Sequence, residues 1–173
     1  SVSMNHDICV LGLGYIGLPT ASIFATKGKR VLGVDVVPRV VETINRGGIH
    51  IEEPDLDVLV RAAVGSGNLR AAIAPETAQT FIIAVPTPFK VTVANPRAPD
   101  LTFVEAATRS IAGVVAPGNL VILESTSPVG TTELMRDWLC DEVLKTRPSD
   151  HPAIRSSVLF AHCPERILPG QML

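Results

Sequence analysis

The segment from Gly12 to Gly17 (GLGYIG) constrains this chain more than any other part of its sequence. It follows a short apolar run, Ile8 to Leu11, and it opens a stretch with helical character, Tyr15 to Lys27. The next apolar run, Val31 to Val34, is followed at once by the acidic residue Asp35. A strand, a glycine-rich turn, a helix and a second strand with an acidic end form the fingerprint of a dinucleotide-binding site.

Each glycine in this turn has a separate physical role. Gly12 permits the tight change of direction from strand to helix, Gly14 lets a pyrophosphate approach the backbone, and Gly17 lets the helix pack closely on the sheet. The N–H groups at the start of the helix are free, and the positive end of the helix dipole favours an anion there. Backbone contacts to the cofactor are therefore predicted at Gly12, Gly14, Tyr15, Ile16 and Gly17.

Asp35 indicates which dinucleotide binds. Its carboxylate can accept hydrogen bonds from the adenosine ribose and repels a 2′-phosphate, so the sequence favours NAD over NADP. Arg39, a little further on, is a residue type that can receive such a phosphate. Beside Asp35 it is interpreted as a contact of the adenosine side or as a solvated charge. The alternative is a glycine-rich turn without a ligand, in which Asp35 only ends its strand.

Short apolar runs alternate with helical segments along the rest of the chain. Further runs of strand length are Leu69 to Ile73, Phe81 to Val85, Leu120 to Leu123 and Val158 to Ala161. Further helices are predicted over Pro38 to Arg46, Asp55 to Val64, Leu101 to Val115 and Thr131 to Lys145. Strands that are buried on both faces read as unbroken apolar runs, and their alternation with helices predicts βαβ units. The expected fold is therefore α/β, a Rossmann-type doubly wound parallel sheet in a single domain.

Composition supports this fold and argues against several classes of function. The chain has 173 residues, of which 46% are hydrophobic and only 4% aromatic, which suits one aliphatic core around a parallel sheet. A net charge of −2 gives no basic surface for nucleic acid, and no apolar run is long enough to span a membrane. The three cysteines are scattered, which argues against disulfides and against zinc or another metal, and favours a cytoplasmic location.

Two segments are expected to lie outside the regular core. Residues 1–6 are interpreted as a short remnant and flexible start around the initiator Met4, before a dinucleotide-binding domain over residues 7–173. Lys90 to Pro99 is a proline-containing loop between a strand and a helix, where ligand-facing loops lie in this architecture. A functional loop and an uninvolved surface loop are equally open interpretations of it.

Five blocks of the sequence resemble one protein family, in the same order. They are Gly12 to Ala21 (GLGYIGLPTA), Ile49 to Asp57 (IHIEEPDLD), Ala84 to Lys90 (AVPTPFK), Glu124 to Thr132 (ESTSPVGTT) and Cys163 to Gly170 (CPERILPG). The chain resembles the UDP-glucose/GDP-mannose dehydrogenase family of nucleotide-sugar 6-dehydrogenases, from about Asp7 to its final residues.

The resemblance implies an NAD-dependent enzyme that acts on a nucleotide sugar. Members of the family oxidise the C6 primary alcohol to a carboxylate in two NAD-dependent steps, through a thioester on a cysteine. They have an NAD-binding domain, a central helical region and a sugar-nucleotide-binding domain, and this chain resembles only the first. The resemblance also implies that the full-length protein forms a homo-oligomer and that this chain alone is inactive.

The resemblance also implies roles for residues at two strand ends. Val85 and Thr87 would line the cofactor crevice, where the neighbouring prolines stiffen the wall; the alternative is a plain strand terminator. Thr126 resembles a threonine beside the nicotinamide and the hydrolytic water, which implies both a catalytic and a cofactor-binding role. Thr132 would reach the cofactor as well, although capping of the following helix explains this threonine pair equally well.

The block that begins at Cys163 contains the last candidates. Glu165 resembles the glutamate that helps to activate water for thioester hydrolysis, and the alternative is a pairing with Arg166 or a solvated charge. Arg166 and Ile167 resemble residues that contact the nucleotide sugar. Cys163 and Cys9 are interpreted as buried small hydrophobic residues, because nothing here matches the family's later cysteine motif.

Three hypotheses of function follow. The leading one, which the resemblance implies, is an NAD-dependent dehydrogenase of UDP-N-acetyl-D-mannosamine, with UDP-glucose, UDP-N-acetylglucosamine or GDP-mannose as alternative substrates of the same reaction. The second is a hydroxyacid-type dehydrogenase, which opens with the same glycine fingerprint; the blocks ESTSPVG and CPERILPG argue against it. The third is an NAD-binding module that carries out no chemistry.

Overall fold

Six parallel strands form the centre of the molecule. The computed structural model describes residues 6–90, 94 and 98–164 of the chain. Within that part the strands are β1 (His6–Leu11), β2 (Val31–Val34), β3 (Leu69–Ala72), β4 (Ala78–Ile83), β5 (Phe89–Lys90), β6 (Ala98–Pro99), β7 (Leu120–Leu123) and β8 (Leu159–His162). The main sheet has the order β3-β2-β1-β4-β7-β8 with every neighbouring pair parallel, and β5 and β6 form a separate antiparallel ribbon.

Helices cover both faces of this sheet. They are α1 (Gly17–Thr26), α2 (Pro38–Asn45), α3 (Leu56–Gly65), α4 (Thr102–Ser110), α5 (Thr131–Thr146) and α6 (His151–Ser157). Buried residues of α1, α2 and α3 belong to one hydrophobic core, and those of α4, α5 and α6 belong to a second core. The strand order reverses at β1, which is the arrangement of a doubly wound sheet. The predicted Rossmann-type single domain is therefore confirmed.

The strands lack a polar alternation because both of their faces are covered. All four residues of β2 are buried. On β1, Cys9 and Leu11 belong to one core while Ile8 and Val10 belong to the other. Successive side chains of a strand point to opposite faces, so each face receives its own row of apolar groups. This is why the strands appear in the sequence as short unbroken apolar runs.

Several element bounds differ from those expected. The helix predicted over Leu101 to Val115 ends at Ser110, where the N–H groups of Ile111 and Ala112 donate to carbonyl oxygens three residues back instead of four. The Arg147 guanidinium donates to the carbonyl oxygens of Ala112 (2.9 Å) and Val115 (2.7 Å) in the turns that follow. His6 belongs to β1, although it was assigned to the flexible start. Helix α6 was not predicted, and the described part of the Lys90 to Pro99 loop contains the ribbon of β5 and β6.

The described residues contain neither a membrane-spanning helix nor a metal-binding cluster. No helix in that part of the chain combines the length and the apolar character needed to cross a bilayer. The same residues contain no cluster of three or more His, Cys, Asp or Glu side chains arranged to hold a metal ion. In this architecture ligands bind at the carboxyl edge of the parallel sheet, which is where the candidate site lies.

Ser22 is a polar residue that α1 buries without a compensating hydrogen bond. Its hydroxyl oxygen is inaccessible to solvent and has no partner among the described residues. A buried hydroxyl group without a partner costs roughly 1–3 kcal/mol, so we expect Ser22→Ala to raise the free energy of unfolding by about 1 kcal/mol. Equilibrium unfolding in urea measures the difference.

Thr108 supplies the matched control for this prediction. It is also fully buried in a helix, but its hydroxyl group donates to the carbonyl oxygen of Val104 at 2.7 Å. Thr108→Val removes a satisfied hydrogen bond, and we expect it to leave the free energy of unfolding unchanged or lower. A Ser22→Ala chain that is less stable than wild type would contradict the expectation.

Candidate functional site

The glycine-rich turn is packed too tightly for a side chain at two positions. Gly12 has a φ of +97° and donates its N–H to the carbonyl oxygen of Val34 at 2.8 Å. A Cβ atom on Gly12 would lie 2.9 Å from the carbonyl oxygen of Ala84. A Cβ atom on Gly17 would lie 1.7 Å from the carbonyl oxygen of Gly12, far inside contact distance. The turn therefore requires glycine at both positions.

Gly14 is glycine for a different reason. A Cβ atom there would meet no other atom within 4 Å, so the residue faces open space. Helix α1 begins just beyond it, after Tyr15 and Ile16, with no side-chain cap and no acidic residue in its first turn. The free N–H groups and the positive end of the helix dipole are thus available to an anion. Open space beside such a helix start fits the pyrophosphate of a dinucleotide.

Asp35 lies directly beside this turn. One carboxylate oxygen accepts the N–H of Leu13 at 3.2 Å and the other accepts the N–H of Val37 at 3.0 Å. These bonds fix the orientation of the carboxylate, and each oxygen keeps a further lone pair for a ribose hydroxyl group. Arg39 lies on α2, is exposed, and has no ion-pair partner in the described part of the chain. An exposed guanidinium at this position fits either a contact with the adenosine side or a solvated charge, so its cofactor role stays a prediction.

A cleft of about 350 Å³ opens next to Asp35. It lies between α4 and the carboxyl ends of β1 to β4, and most of its walls are apolar. Contributing side chains include Val36, Ile73, Val85, Phe103 and Ala107. Val36, which directly follows Asp35, is 84% exposed. An apolar slot beside a carboxylate fits an adenine ring whose ribose is held at the rim.

The residues predicted on the nicotinamide side come together at the ends of β4 and β7. Val85 lines the cleft, and its carbonyl oxygen accepts a hydrogen bond from the Ser125 hydroxyl group. Thr87 donates its hydroxyl group to the carbonyl oxygen of Thr126 at 2.7 Å. The side chain of Thr126 is exposed. The structure thus brings Val85, Thr87 and Thr126 to one edge of the sheet, on the far side of the turn from Asp35.

Helix α1 is tied to this edge by a buried pair. The Thr20 hydroxyl group donates to a carboxylate oxygen of Glu124 at 2.5 Å. Glu124 is only 8% exposed and directly precedes Ser125, while Thr20 lies in the first turn of α1. The helix start beside the glycine turn and the strand end that carries Thr126 are therefore connected through side chains.

The start of α5 corrects the capping interpretation of its threonines. The cap position is Gly130, which has a φ of +93° and no side-chain cap bond. Thr131 donates its hydroxyl group to the carbonyl oxygen of Pro128 at 2.7 Å, and Thr132 contacts the carboxylate of Glu133 at 3.3 Å. Neither threonine caps the helix, because a left-handed glycine occupies the cap. The cofactor role of Thr132 stays a prediction.

Two of the three cysteines are unsuited to nucleophilic catalysis. Burial raises the pKa of the Cys9 thiol to about 12, and burial also raises the pKa of Cys140. Both thiols therefore stay protonated near neutral pH, whereas the thiolate is the nucleophilic form. Cys163 is exposed, so its interpretation as a buried residue is wrong. It follows β8, which is an edge strand and is covered less than the central strands.

Three predicted residues lie outside the described part of the chain. They are Glu165, Arg166 and Ile167, which follow the last described residue, Pro164. Their roles as water activator and as substrate contacts stay predictions.

The sequence analysis missed the contribution of α4 to the cleft. The cleft-lining residues of this helix are Phe103, Ala106, Ala107 and Ser110. Their spacing of three, four and seven positions places them on one helix face. The core-facing residues Val104 and Thr108 lie on another face of the same helix. The predicted helix therefore has a second face of small and apolar residues, and this pattern could have identified α4 as a wall of the cleft.

The fold and the site together define a Rossmann-type dinucleotide-binding domain. A tight glycine turn, an uncapped helix start, an oriented carboxylate and an apolar cleft meet at the point where the strand order reverses. The model of the UDP-glucose/GDP-mannose dehydrogenase family, NAD binding domain, matches residues 6–173. The chain belongs to this family and is its NAD-binding domain.

Known proteins similar to the chain come from the same family of enzymes. A UDP-N-acetyl-D-mannosamine dehydrogenase of Campylobacter jejuni is 52% identical over 97% of this chain and 40% of that protein. An NDP-N-acetyl-D-galactosaminuronic acid dehydrogenase of Ralstonia nicotianae is 53% identical over 97% of this chain and 39% of that protein. The solved structure of a UDP-D-ManNAc dehydrogenase from Pyrococcus horikoshii aligns with a TM-score of 0.81 at 40% identity, over 95% of this chain and 37% of that one. The chain thus spans about two fifths of the relatives it matches.

Proposed function

We propose that this chain is the cofactor-binding part of an NAD-dependent nucleotide-sugar 6-dehydrogenase. Its substrate is UDP-N-acetyl-D-mannosamine, which the enzyme oxidises to UDP-N-acetyl-D-mannosaminuronate in two steps. The observation that carries the proposal is the oriented Asp35 carboxylate beside the glycine turn, in a chain that is 52% identical to such a dehydrogenase. The remainder of the enzyme supplies the sugar site and the catalytic cysteine. Cys9 and Cys140 are held as neutral thiols, and the sequence around Cys163 does not match the family's cysteine motif.

The residues of the chain hold the cofactor and exclude water from it. When bound, NAD would supply the hydride acceptor for each oxidation at C6 of the sugar. Asp35 accepts hydrogen bonds from the adenosine ribose, the turn around Gly14 receives the pyrophosphate, and the apolar cleft receives the adenine. Val85 and Thr87 form the wall on the nicotinamide side, and Thr126 presents its hydroxyl group there.

After the second oxidation, water hydrolyses the thioester on the catalytic cysteine: a C–O bond forms at the carbonyl carbon, the C–S bond breaks, and the cysteine leaves as a thiol. Glu165 accepts a proton from that water, and Thr126 helps to orient it. Arg166 and Ile167 contact the nucleotide sugar, and the guanidinium group of Arg166 suits phosphate oxygens. Thr132 adds a contact to the cofactor.

The identity of the sugar has a second candidate. The Ralstonia relative, which is named for N-acetyl-D-galactosaminuronic acid, is as similar to this chain as the Campylobacter protein is. Both names contain an N-acetylated sugar, which favours such a substrate over UDP-glucose or GDP-mannose. Family membership argues against a hydroxyacid-type dehydrogenase. We also propose that the enzyme works in the cytoplasm, where its three free cysteines stay reduced, and as a homo-oligomer.

Calorimetric titration of the chain with NAD and NADP tests the cofactor part of the proposal. We expect NAD to bind and NADP to bind at least about tenfold more weakly, because the Asp35 carboxylate opposes a 2′-phosphate. The chain alone is expected to form no NADH from any nucleotide sugar. Equal affinity for the two cofactors would contradict the assignment of Asp35.

Turnover of a panel of nucleotide sugars tests the substrate. The longer protein that contains this chain is expected to reduce NAD fastest with UDP-N-acetyl-D-mannosamine and to form the uronate. The panel includes UDP-N-acetylgalactosamine, UDP-N-acetylglucosamine, UDP-glucose and GDP-mannose. A clear preference for UDP-glucose would end the mannosamine assignment.

A further inference from the structure

Three side-chain hydrogen bonds fix the segment from Ser125 to Ser127. Thr87 donates to the carbonyl oxygen of Thr126, and Ser125 donates its own hydroxyl group to the end of β4. A third bond comes from the opposite side. Nε2 of His162 lies 3.0 Å from the carbonyl oxygen of Ser125. The segment is therefore held from β4 on one side and from β8 on the other.

His162 occupies a particular place in the sheet. It is the last residue of β8 and pairs in register with Leu123, the last residue of β7. The backbone bond from the N–H of Cys163 to the carbonyl oxygen of Leu123 (2.9 Å) continues the ladder. Ser125 lies two residues beyond Leu123, so the imidazole extends the link between β7 and β8 past the regular pairing.

This contact identifies Nε2 as the donating nitrogen of the ring. A carbonyl oxygen only accepts hydrogen bonds, so Nε2 of His162 carries the proton. The residue is exposed, which means that core packing does not explain its position. The imidazole instead contacts the carbonyl oxygen of Ser125, the residue directly before Thr126.

We propose that His162 is a positioning residue for the nicotinamide end of the cofactor. By fixing the carbonyl group of Ser125, it sets the direction of the following peptide unit and so of the exposed Thr126 side chain. This inference rests on the proposed function, in which Thr126 lies beside the nicotinamide. The adenosine end is held by Asp35 and by the cleft beside α4, which His162 does not contact. Loss of the imidazole therefore weakens one half of the site and spares the other.

Titrations with NAD and with ADP-ribose, which lacks the nicotinamide, separate the two halves. For His162→Leu we expect NAD affinity to fall about three- to tenfold, the size of one hydrogen bond, and ADP-ribose affinity to stay within about twofold. His162→Gln places an amide N–H close to the position of Nε2, and we expect it to restore most of the NAD affinity. His151→Leu, on α6, changes a histidine away from the site and should alter neither affinity.

Thermal unfolding shows whether each variant is folded, and the titrations then decide between the possible outcomes. Equal losses of NAD and ADP-ribose affinity in His162→Leu, or no loss of either, would overturn the inference. So would unfolding of both His162 variants, which would show a role in stability instead of positioning. If the wild-type chain binds neither ligand, the proposed function itself is refuted. If the wild type binds both ligands and His162→Leu leaves the ratio of NAD to ADP-ribose affinity unchanged, only the role of His162 is refuted.

Discussion

Gly17→Ala is expected to destabilise the chain by at least about 3 kcal/mol, because the added methyl group has no room in a close-packed turn. The new Cβ atom would lie 1.7 Å from the carbonyl oxygen of Gly12, and both partners belong to the backbone. Relief would require α1 to move away from β1, which would break the contacts of Leu18 and Ala21 in the core. For a chain of this size the loss corresponds to a fall in Tm of roughly 6 °C or more.

Gly14→Ala provides the contrasting variant in the same turn. Its Cβ atom would meet no atom within 4 Å, so the free energy of unfolding should stay within about 1 kcal/mol of wild type. The methyl group would instead occupy the open space assigned to the pyrophosphate. We expect NAD affinity to fall at least about tenfold, since the phosphates could no longer approach the backbone.

Circular dichroism during heating and calorimetric titration with NAD measure the two effects. Gly65→Ala is the control, because a Cβ atom at the end of α3 also meets no atom within 4 Å and the residue does not line the cleft. It should change neither stability nor affinity appreciably. Wild-type NAD affinity in Gly14→Ala, or wild-type stability in Gly17→Ala, would show that the turn has been assigned wrongly.

The features that the sequence predicts well are local ones. The bounds of β2 and β7 match the apolar runs Val31 to Val34 and Leu120 to Leu123, because a buried parallel strand is defined by its own residues. The turn glycines are also predicted locally, since the positive φ of Gly12 and the contact between Gly17 and Gly12 both arise within the turn itself. The doubly wound fold then follows from the alternation of strands and helices.

The features that the sequence does not predict are contacts between distant positions. Thr20 and Glu124 are 104 positions apart, and each looks unremarkable within its own segment. His162 likewise becomes relevant only once β8 pairs with β7. The capping error at α5 has a related cause, because the choice between Gly130 and the following threonines depends on backbone angles that residue type alone does not fix.

Asp35→Asn is expected to lower NAD affinity about 10- to 100-fold, since a hydrogen bond to a charged group contributes roughly 1.5–3 kcal/mol. In the wild type both carboxylate oxygens accept backbone N–H groups, from Leu13 and Val37. Asparagine has only one such oxygen, so its NH₂ group would face a backbone donor and the side chain would turn away. The ribose would lose its partner, and the turn would lose a bond that helps to shape it.

The same substitution should change the choice of cofactor. Without the carboxylate, a 2′-phosphate is no longer repelled, and the exposed Arg39 guanidinium is available nearby on α2. We expect the ratio of NAD to NADP affinity to fall at least about tenfold. In the double variant Asp35→Asn with Arg39→Ala, we expect the gain in NADP affinity to be lost. Asp137→Asn, an exposed acid on α5, is the control that loses the same charge away from the site. An unchanged ratio in Asp35→Asn would mean that this carboxylate does not meet the ribose, and the assignment of the site would fail with it.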